Sequence, residues 1–471
     1  MIGSEHLEDK KMRFIKRVRI TFLLMVVFGT VGMTLYVGKG LESKVSAETD
    51  NYKDLKIFSE VLSSLKSNYV EPLETKDLVY GAIKGMLGAL DAHSAFMPPE
   101  VYKEMQVDTK GEFGGLGLQI GVREKKLVVV APIDGTPAAI AGIKTGDIIL
   151  RVDDHEMVEG TSLMEAVQKM RGPKGSAVTL SVLRGTESES EPEELVFTLI
   201  RDTIRINSVN SKVLEPGIGY IQITQFQEQT ARDLAKAISS LLKGKIHSLI
   251  LDLRNNPGGL LNSAVKVSDQ FLESGQLIVS IKSRDGDQDE YTASQASHLN
   301  GIPIIVLVNE GSASASEIVS GALQDWKRAV VLGVHTFGKG SVQTVLPLSD
   351  GSALRLTTAK YYTPNGRSIQ NKGIEPDILV RQEQVKEVKR GPIVREKDLA
   401  RHLGNESDAE TQNMDDTEIN FPPAENRRQT IESDPRRSEA DRDTQLKKAV
   451  DLLKGWRIFK EIDPLLSAKK E

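Results

Sequence analysis

Two apolar runs constrain this chain more than any other feature. They are Ile246-His-Ser-Leu-Ile-Leu-Asp-Leu253 and Pro303-Ile-Ile-Val-Leu-Val308. Neither alternates apolar and polar residues as a strand with one wet face would. They read as central strands buried on both faces, which implies a parallel sheet with helices on either side. Each run leads into a turn of small residues, Asn255-Asn-Pro-Gly-Gly259 after the first and Gly311-Ser-Ala-Ser-Ala-Ser-Glu-Ile318 after the second.

The second turn carries candidate chemistry. Its small residues suit a sharp entry into a helix, with an exposed hydroxyl and backbone N–H groups aimed at one spot, as acyl transfer requires. Ser314 lies at its centre, although spacing alone leaves Ser312 and Ser316 open. Downstream, Gly338-Lys-Gly-Ser-Val-Gln343 places a lysine between glycines and a glutamine four residues on. A serine hydroxyl needs a base to take its proton. A lysine serves only when neutral, and at an ordinary pKa of about 10.4 roughly one in a few thousand is neutral at pH 7. Lys339 is therefore expected in a dry pocket, where burial disfavours its charged form, with Gln343 holding it by a hydrogen bond that adds no negative charge. His335 is the rival base, but no acidic residue is obviously placed to orient it. For the oxyanion, the Ala315 N–H is one expected donor, with Gly258 nominated first and Gly259 second for the other. Glu317 reads as the complement of a helix N-terminus, and Arg254 as an anchor at a strand end.

A second texture occupies residues 111–202, with glycine-rich loops, short strands and one short helix. Gly114-Gly-Leu-Gly-Leu-Gln-Ile120 can present successive backbone N–H groups to a carboxylate, and the strand after it can add a peptide. With Pro137-Ala-Ala-Ile-Ala-Gly-Ile-Lys-Thr-Gly-Asp-Ile-Ile149, this stretch resembles a PDZ domain of the circularly permuted bacterial type. The resemblance implies recognition of free C-termini, with Leu116, Gly117 and Leu118 as the carboxylate loop. Leu163 and Val167, one helical turn apart, would line the side-chain pocket; plain core packing is the competing reading. Arg171, on the loop after the pocket helix, is either a solvated arginine or a contact that reports peptide occupancy to the rest of the chain.

Composition excludes several classes. The chain has no cysteine, which removes disulfides and thiol chemistry, and its seven histidines form no short metal-ligand motif. No metal or organic cofactor is expected. A net charge of -5 is unlike the basic footprint of a nucleic-acid binder. At the N-terminus, a basic cluster within residues 1–19 precedes an uncharged, mostly apolar run over 20–37, which implies a transmembrane anchor or a signal sequence with the body exported. Val45-Ser-Ala47 resembles a cleavage site. Residues 48–108 read as a helical region, with Leu55, Phe58, Leu62, Leu65 and Tyr69 at spacings of three and four and Thr75 capping a second helix. Residues 384–444 are polar and low in aromatics, a disordered or loosely helical segment, and 445–471 read as a C-terminal helix.

Taken together, Val308-Asn-Glu-Gly-Ser-Ala-Ser-Ala-Ser-Glu-Ile318, Gly333-Val-His-Thr-Phe-Gly-Lys-Gly-Ser-Val-Gln343 and Asp252-Leu-Arg-Asn-Asn-Pro-Gly-Gly259 resemble the carboxy-terminal processing peptidases, the tail-specific proteases of serine peptidase family S41. The resemblance selects Ser314 as nucleophile, Lys339 as base and Gln343 as the orienting amide. It implies a multidomain α/β chain with a PDZ domain inserted ahead of a crotonase-like protease core over 203–382, following the N-terminal helical region and the transmembrane or signal segment. It also implies cleavage of exported proteins near apolar C-termini, in the bacterial periplasm or at the inner membrane. The competing reading is a catalytically silent PDZ scaffold. An envelope adaptor or activator and self-association through terminal helices are further expected partners. Asp91-Ala-His-Ser94, Tyr361-Tyr-Thr-Pro-Asn-Gly366 and Gly373-Ile-Glu-Pro-Asp377 match structural stretches of the family.

Overall fold

The computed structural model describes residues 53, 55–185, 192–295, 297, 299, 301–382, 395–399, 402 and 443–462. The apolar run 20–37 lies outside them, and among the described residues no helix is long and apolar enough to cross a membrane. The chain divides into two units, Met1–Gly85 and Met86–Glu471. In the first, residues 55–68 form a helix, and a second helix, Thr75–Gly88, begins there and ends just past the division at Gly85. Leu55, Phe58, Leu65 and Tyr69 keep much of their surface exposed.

The second unit holds three apolar clusters, one on each face of the large sheet and one in the PDZ-like sheet. The large sheet has six strands in the order Val209–Glu215, Ile218–Ile223, Ser248–Asp252, Ile304–Val308, Val330–Gly333, Ile378–Leu379. The first pair is antiparallel and all later pairs are parallel. Every residue of Ser248–Asp252 and Ile304–Val308 is buried, as the unbroken apolar runs require. Period-two alternation sends neighbours to opposite faces. Leu249, Leu251, Ile304, Val306 and Val308 pack with the helices Thr230–Lys243, Leu261–Ser268 and Ala315–Asp325. Ile250, Ile305 and Leu307 face the other way and meet Leu446, Ala449, Val450 and Leu453 of the C-terminal helix Thr444–Ile462. Arg254 ties that helix to the strand end: its guanidinium bonds Asp252 at 2.6 Å and Asp443 at 2.7 Å.

A second, five-stranded sheet contains Ala95–Met97, Ala353–Tyr362, Leu277–Ser283 and Gln288–Thr292 in that order, with Ser341–Pro347 also paired to Ala353–Tyr362. The expected helical region over 48–108 is thus interrupted. Ala95–Met97 pairs with Ala353–Arg355, because Asp91 caps its own turn and delivers an apolar triplet to that strand. The helix Pro99–Lys110 follows.

The PDZ sheet runs in the order Leu118–Arg123, Lys126–Pro132, Ile148–Val152, Ala177–Arg184, Glu193–Ile200, with His155–Glu156 as a short sixth strand. In a separate two-stranded sheet, Glu112–Gly115 and Asp202–Arg205 pair antiparallel, so chain entry and exit are stapled together. The expected boundary between 202 and 203 falls inside that strand. The polar segment 384–444 also needs correction: Glu396–Asp398 forms a 3-10 turn in which Glu396 is fully buried, because it finds polar partners in the core.

Candidate active site

Ser314 sits at the junction between the strand Ile304–Val308 and the eleven-residue helix Ala315–Asp325, with φ 54° and ψ −111°. Non-glycine residues rarely adopt positive φ, and strain of this kind persists only where surroundings over-determine it. Those surroundings are visible. The Ser312 hydroxyl donates to the Leu253 carbonyl at 2.8 Å, and the Ser316 hydroxyl to the Asn256 carbonyl at 2.9 Å. The Ala313 N–H reaches the same Asn256 carbonyl at 3.0 Å. Both flanking serines are buried ties between the two small-residue turns. Ser314 is only partly buried and lines a cleft of about 1140 Å³ with Lys339, Gln343, Ala315 and Gly259. His335 lines a different cavity of about 850 Å³ over the strand ends, and its imidazole lies 4.0 Å from Glu375.

The Ala315 N–H enters none of the hydrogen bonds among the described residues and stands at a helix N-terminus, where positive potential favours a developing anion. Gly258 lies against it: a Cβ there would fall 2.9 Å from Ser314 Cβ and 3.0 Å from the Ala315 nitrogen. The Gly258 N–H, however, donates to Asn256 Oδ1 at 2.9 Å, so the first nominee is already occupied. The second, Gly259, has φ 143° and bridges Phe226, and its own N–H enters none of the hydrogen bonds among the described residues.

The backbone around Lys339 is held at every peptide group from Phe337 to Gly340. The Phe337 N–H donates to Ser312 O and its carbonyl accepts from Glu396. Gly338 bonds Glu317 through its N–H and Asn371 through its carbonyl. The Lys339 N–H donates to Glu317 at 3.0 Å, and its carbonyl accepts from the Tyr361 phenol. Gly340 donates to Gln370 at 2.8 Å and accepts from the Tyr361 N–H at 3.0 Å. The Lys339 ammonium has no hydrogen bond among the described residues. Burial pushes its pKa below 10.5, and the nearby Arg355 cation adds to this; Glu396, Glu317 and Asp91 pull the other way. The expected bond from Gln343 is not made. A register shift between Val342 and Gln343 turns the amide toward Ser341, whose hydroxyl it reaches at 2.9 Å.

Two residues that sequence reasoning assigned only local roles complete the site. Glu317 is fully buried, and its carboxylate accepts from Ser314 N (2.8 Å), Thr336 Oγ1 (2.5 Å), Gly338 N (2.8 Å) and Lys339 N (3.0 Å). One side chain therefore joins the serine turn to the lysine loop. Burial pushes its carboxyl up to about 7 against the pull of those four bonds. The Ser-x-x-Glu spacing, a capping-box pattern, was its only sequence signal. Tyr361 is buried, donates to the Lys339 carbonyl and hydrogen-bonds the Ser314 side chain; burial and the Glu317 charge hold its phenol protonated. Its approach depends on sheet register, which no local motif encodes.

In the PDZ domain, Leu118–Arg123 is an edge strand, open to addition of another strand. Leu116 is buried in the domain core, and Gly117 has φ 77°. Ser162 caps the helix Leu163–Met170, on which Leu163 is exposed and Val167 partly buried, while Ala166 and Met170 face the core. Arg171 is not simply solvated. Its guanidinium stacks 4.6 Å from the centre of the Phe113 ring and lies 4.0 Å from Glu104. Glu104 belongs to the helix Pro99–Lys110, whose Tyr102, Met105 and Thr109 line the serine–lysine cleft.

A serine on a strained strand-to-helix turn that shares a cleft with a partly buried lysine, in a chain that also carries a PDZ-like sheet, defines a class of serine-type peptidase. Sequence comparisons make the class specific. The peptidase family S41 pattern matches residues 217–380, the PDZ pattern 114–191, and the pattern of the activating protease CtpB N-terminal domain 30–101. A carboxy-terminal-processing protease of Bartonella bacilliformis is 45% identical over 340 residues, 71% of this chain and 77% of that protein. The carboxy-terminal processing protease CtpB of Bacillus subtilis is 36% identical over 365 residues, 76% of this chain and 74% of that one. Among solved structures, a photosystem II D1 C-terminal processing protease is 34% identical and covers 69% of this chain and 86% of its own, with a TM-score of 0.41. The chain belongs to the carboxy-terminal processing proteases of peptidase family S41, and is a serine-type peptidase with a PDZ domain.

Proposed function

We propose that Ser314 attacks the scissile carbonyl while neutral Lys339 takes its proton, and that the Ala315 N–H, with Gly259 or a released Gly258 N–H, receives the oxyanion. The observation that carries this reading is the shared cleft: the one serine of the turn whose hydroxyl is not a backbone tie shares it with a partly buried lysine whose ammonium makes no hydrogen bond among the described residues. A C-terminal peptide would add to the strand Leu118–Arg123, its carboxylate on Leu116, Gly117 and Leu118 and its last side chain between Leu163 and Val167. Substrates are exported proteins with apolar tails, the body lies beyond the inner membrane, and the basic and apolar N-terminal pattern supports that placement. The α/β core is of the crotonase-like kind.

Gln343, turned to Ser341, marks a resting arrangement. Peptide binding would favour a state in which it turns to Lys339, through Arg171, Phe113 and the helix Pro99–Lys110. A peptide can do this only by binding the aligned state more tightly. The test is cleavage of an unfolded protein with an apolar tail against the same protein ending in an acidic tail, by wild type and by Val167→Asp. Tail preference in wild type and its loss in the variant are expected; equal cleavage of both tails by wild type refutes the PDZ reading.

A further inference from the structure

Glu396 lies beyond the peptidase match, which ends at 380, in a segment whose composition gives no reason to expect a core residue. Its side chain is nonetheless completely buried. Burying a carboxylate is costly unless it is paired and hydrogen-bonded, so its partners define its role. His93 Nε2 lies 2.8 and 2.7 Å from its two oxygens, and Gln370 Nε2 donates to Oε1 at 2.8 Å. The other end of Gln370 accepts from the Gly340 N–H at 2.8 Å, and the Glu396 N–H itself donates to the Phe337 carbonyl at 3.2 Å. These two bonds bracket Lys339 on both sides. His93 is presented by the Asp91 turn: Asp91 accepts from the N–H groups of His93 and Ser94, and from the Thr357 hydroxyl of the strand Ala353–Tyr362.

We infer that Glu396 is a positioning residue for the hydrolytic reaction, a latch outside the peptidase domain that clamps the loop carrying Lys339 in register with Ser314. The inference rests on the proposed role of Lys339 as base. Lys339 projects from a loop only four residues long between the two bracketing bonds; Glu317 and Tyr361 hold its own peptide groups, so slack at either bracket reaches its amine through the flanking Gly338 and Gly340. A displacement of about 1 Å costs on the order of 100-fold in rate. The charges facing Lys339 are Arg355, Glu317, Asp91 and Glu396 itself. Glu396 therefore raises the lysine's proton affinity while holding its backbone, and the two effects separate in different variants.

The experiment measures kcat, KM and the pH profile of the full chain and of Glu396→Ala, Glu396→Gln and Gln370→Leu, with Lys339→Ala as reference. Glu396→Ala should lower kcat about 100-fold with KM within about threefold. Glu396→Gln can still accept from Gln370 and bond His93, so it should recover kcat to within about tenfold of wild type, with the acid limb at lower pH because a negative neighbour of Lys339 is gone. Gln370→Leu, which breaks the relay and leaves the His93 pair intact, should also lower kcat with little change in KM, and it decides the matter if Glu396→Ala does not fold. Wild-type kcat in Glu396→Ala or in Gln370→Leu overturns the latch while Lys339→Ala is inactive. An active Lys339→Ala overturns the serine–lysine reading beneath it.

Discussion

Glu317→Gln is the most informative single change in this site. The carboxylate serves four donors, two on each oxygen: Ser314 N and Lys339 N on one, Thr336 Oγ1 and Gly338 N on the other. An amide offers one acceptor oxygen and an NH2 group. With its oxygen toward Ser314 and Lys339, the Thr336 hydroxyl can turn to accept, but the Gly338 N–H is left buried and unpaired. With its oxygen the other way, both the Ser314 and Lys339 N–H groups are stranded. The better orientation costs about 1–3 kcal/mol for the orphaned donor, plus about 1 kcal/mol for weakening charge-assisted bonds. A loss of about 2–4 kcal/mol is expected, read as a shift in urea midpoint at constant slope, with kcat/KM down at least about tenfold because the strain falls between nucleophile and base. The pH dependence has a definite sign. The Glu317 carboxyl is raised from 4.5 to about 7 in the folded protein, so its contribution to stability is fully present below pH 4.5 and is lost as pH rises through about 7. Glu317→Gln removes that slope, and its deficit against wild type should therefore shrink between those values. A variant within about 0.5 kcal/mol of wild type, with unchanged kcat/KM, would refute the clamp.

Other changes test separate parts of the account. Arg355→Gln removes the cation that helps keep Lys339 neutral, so the acid limb of kcat/KM should move to higher pH in a pH–rate titration; an unmoved limb contradicts that electrostatic role. Gly258→Ala would force a Cβ within 2.8 Å of the Ala313 carbonyl at φ 104°, so peptide hydrolysis should fall by about 100-fold. Gly117→Ala would place a Cβ 2.2 Å from Thr136 Oγ1 at φ 77°; fluorescence anisotropy should show loss of C-terminal peptide binding. Leu453→Ala opens the packing between the C-terminal helix and the sheet, and should cost about 2–4 kcal/mol in chemical denaturation.

What could be read from the sequence followed the range of its signals. Ser248–Asp252 and Ile304–Val308 were visible because burial on both faces leaves no polar alternation to hide them. The turns that follow were visible because small residues crowd where backbones approach. Spacing and resemblance point to Ser314, Lys339 and Gln343 but not to their mutual geometry: the Gln343 amide follows a bulge, and bulges have no reliable local code. The pairing of Ala95–Met97 with Ala353–Arg355 joins segments more than 250 residues apart, which no periodicity encodes. Glu396 is hidden most completely, since in a segment rich in acidic residues nothing in the sequence sets one carboxylate apart from the rest.

The central claim is that Lys339 acts as a base and not as a fixed charge. The direct measurement is turnover of an unfolded protein with an apolar tail by wild type, Ser314→Ala, Lys339→Ala and Lys339→Arg. Arginine keeps the positive charge but cannot release its proton in a protein. The account predicts that wild type cuts and that all three variants lose about 1000-fold or more. A Lys339→Arg protein working within tenfold of wild type would contradict it, because a permanent cation would then suffice at that position.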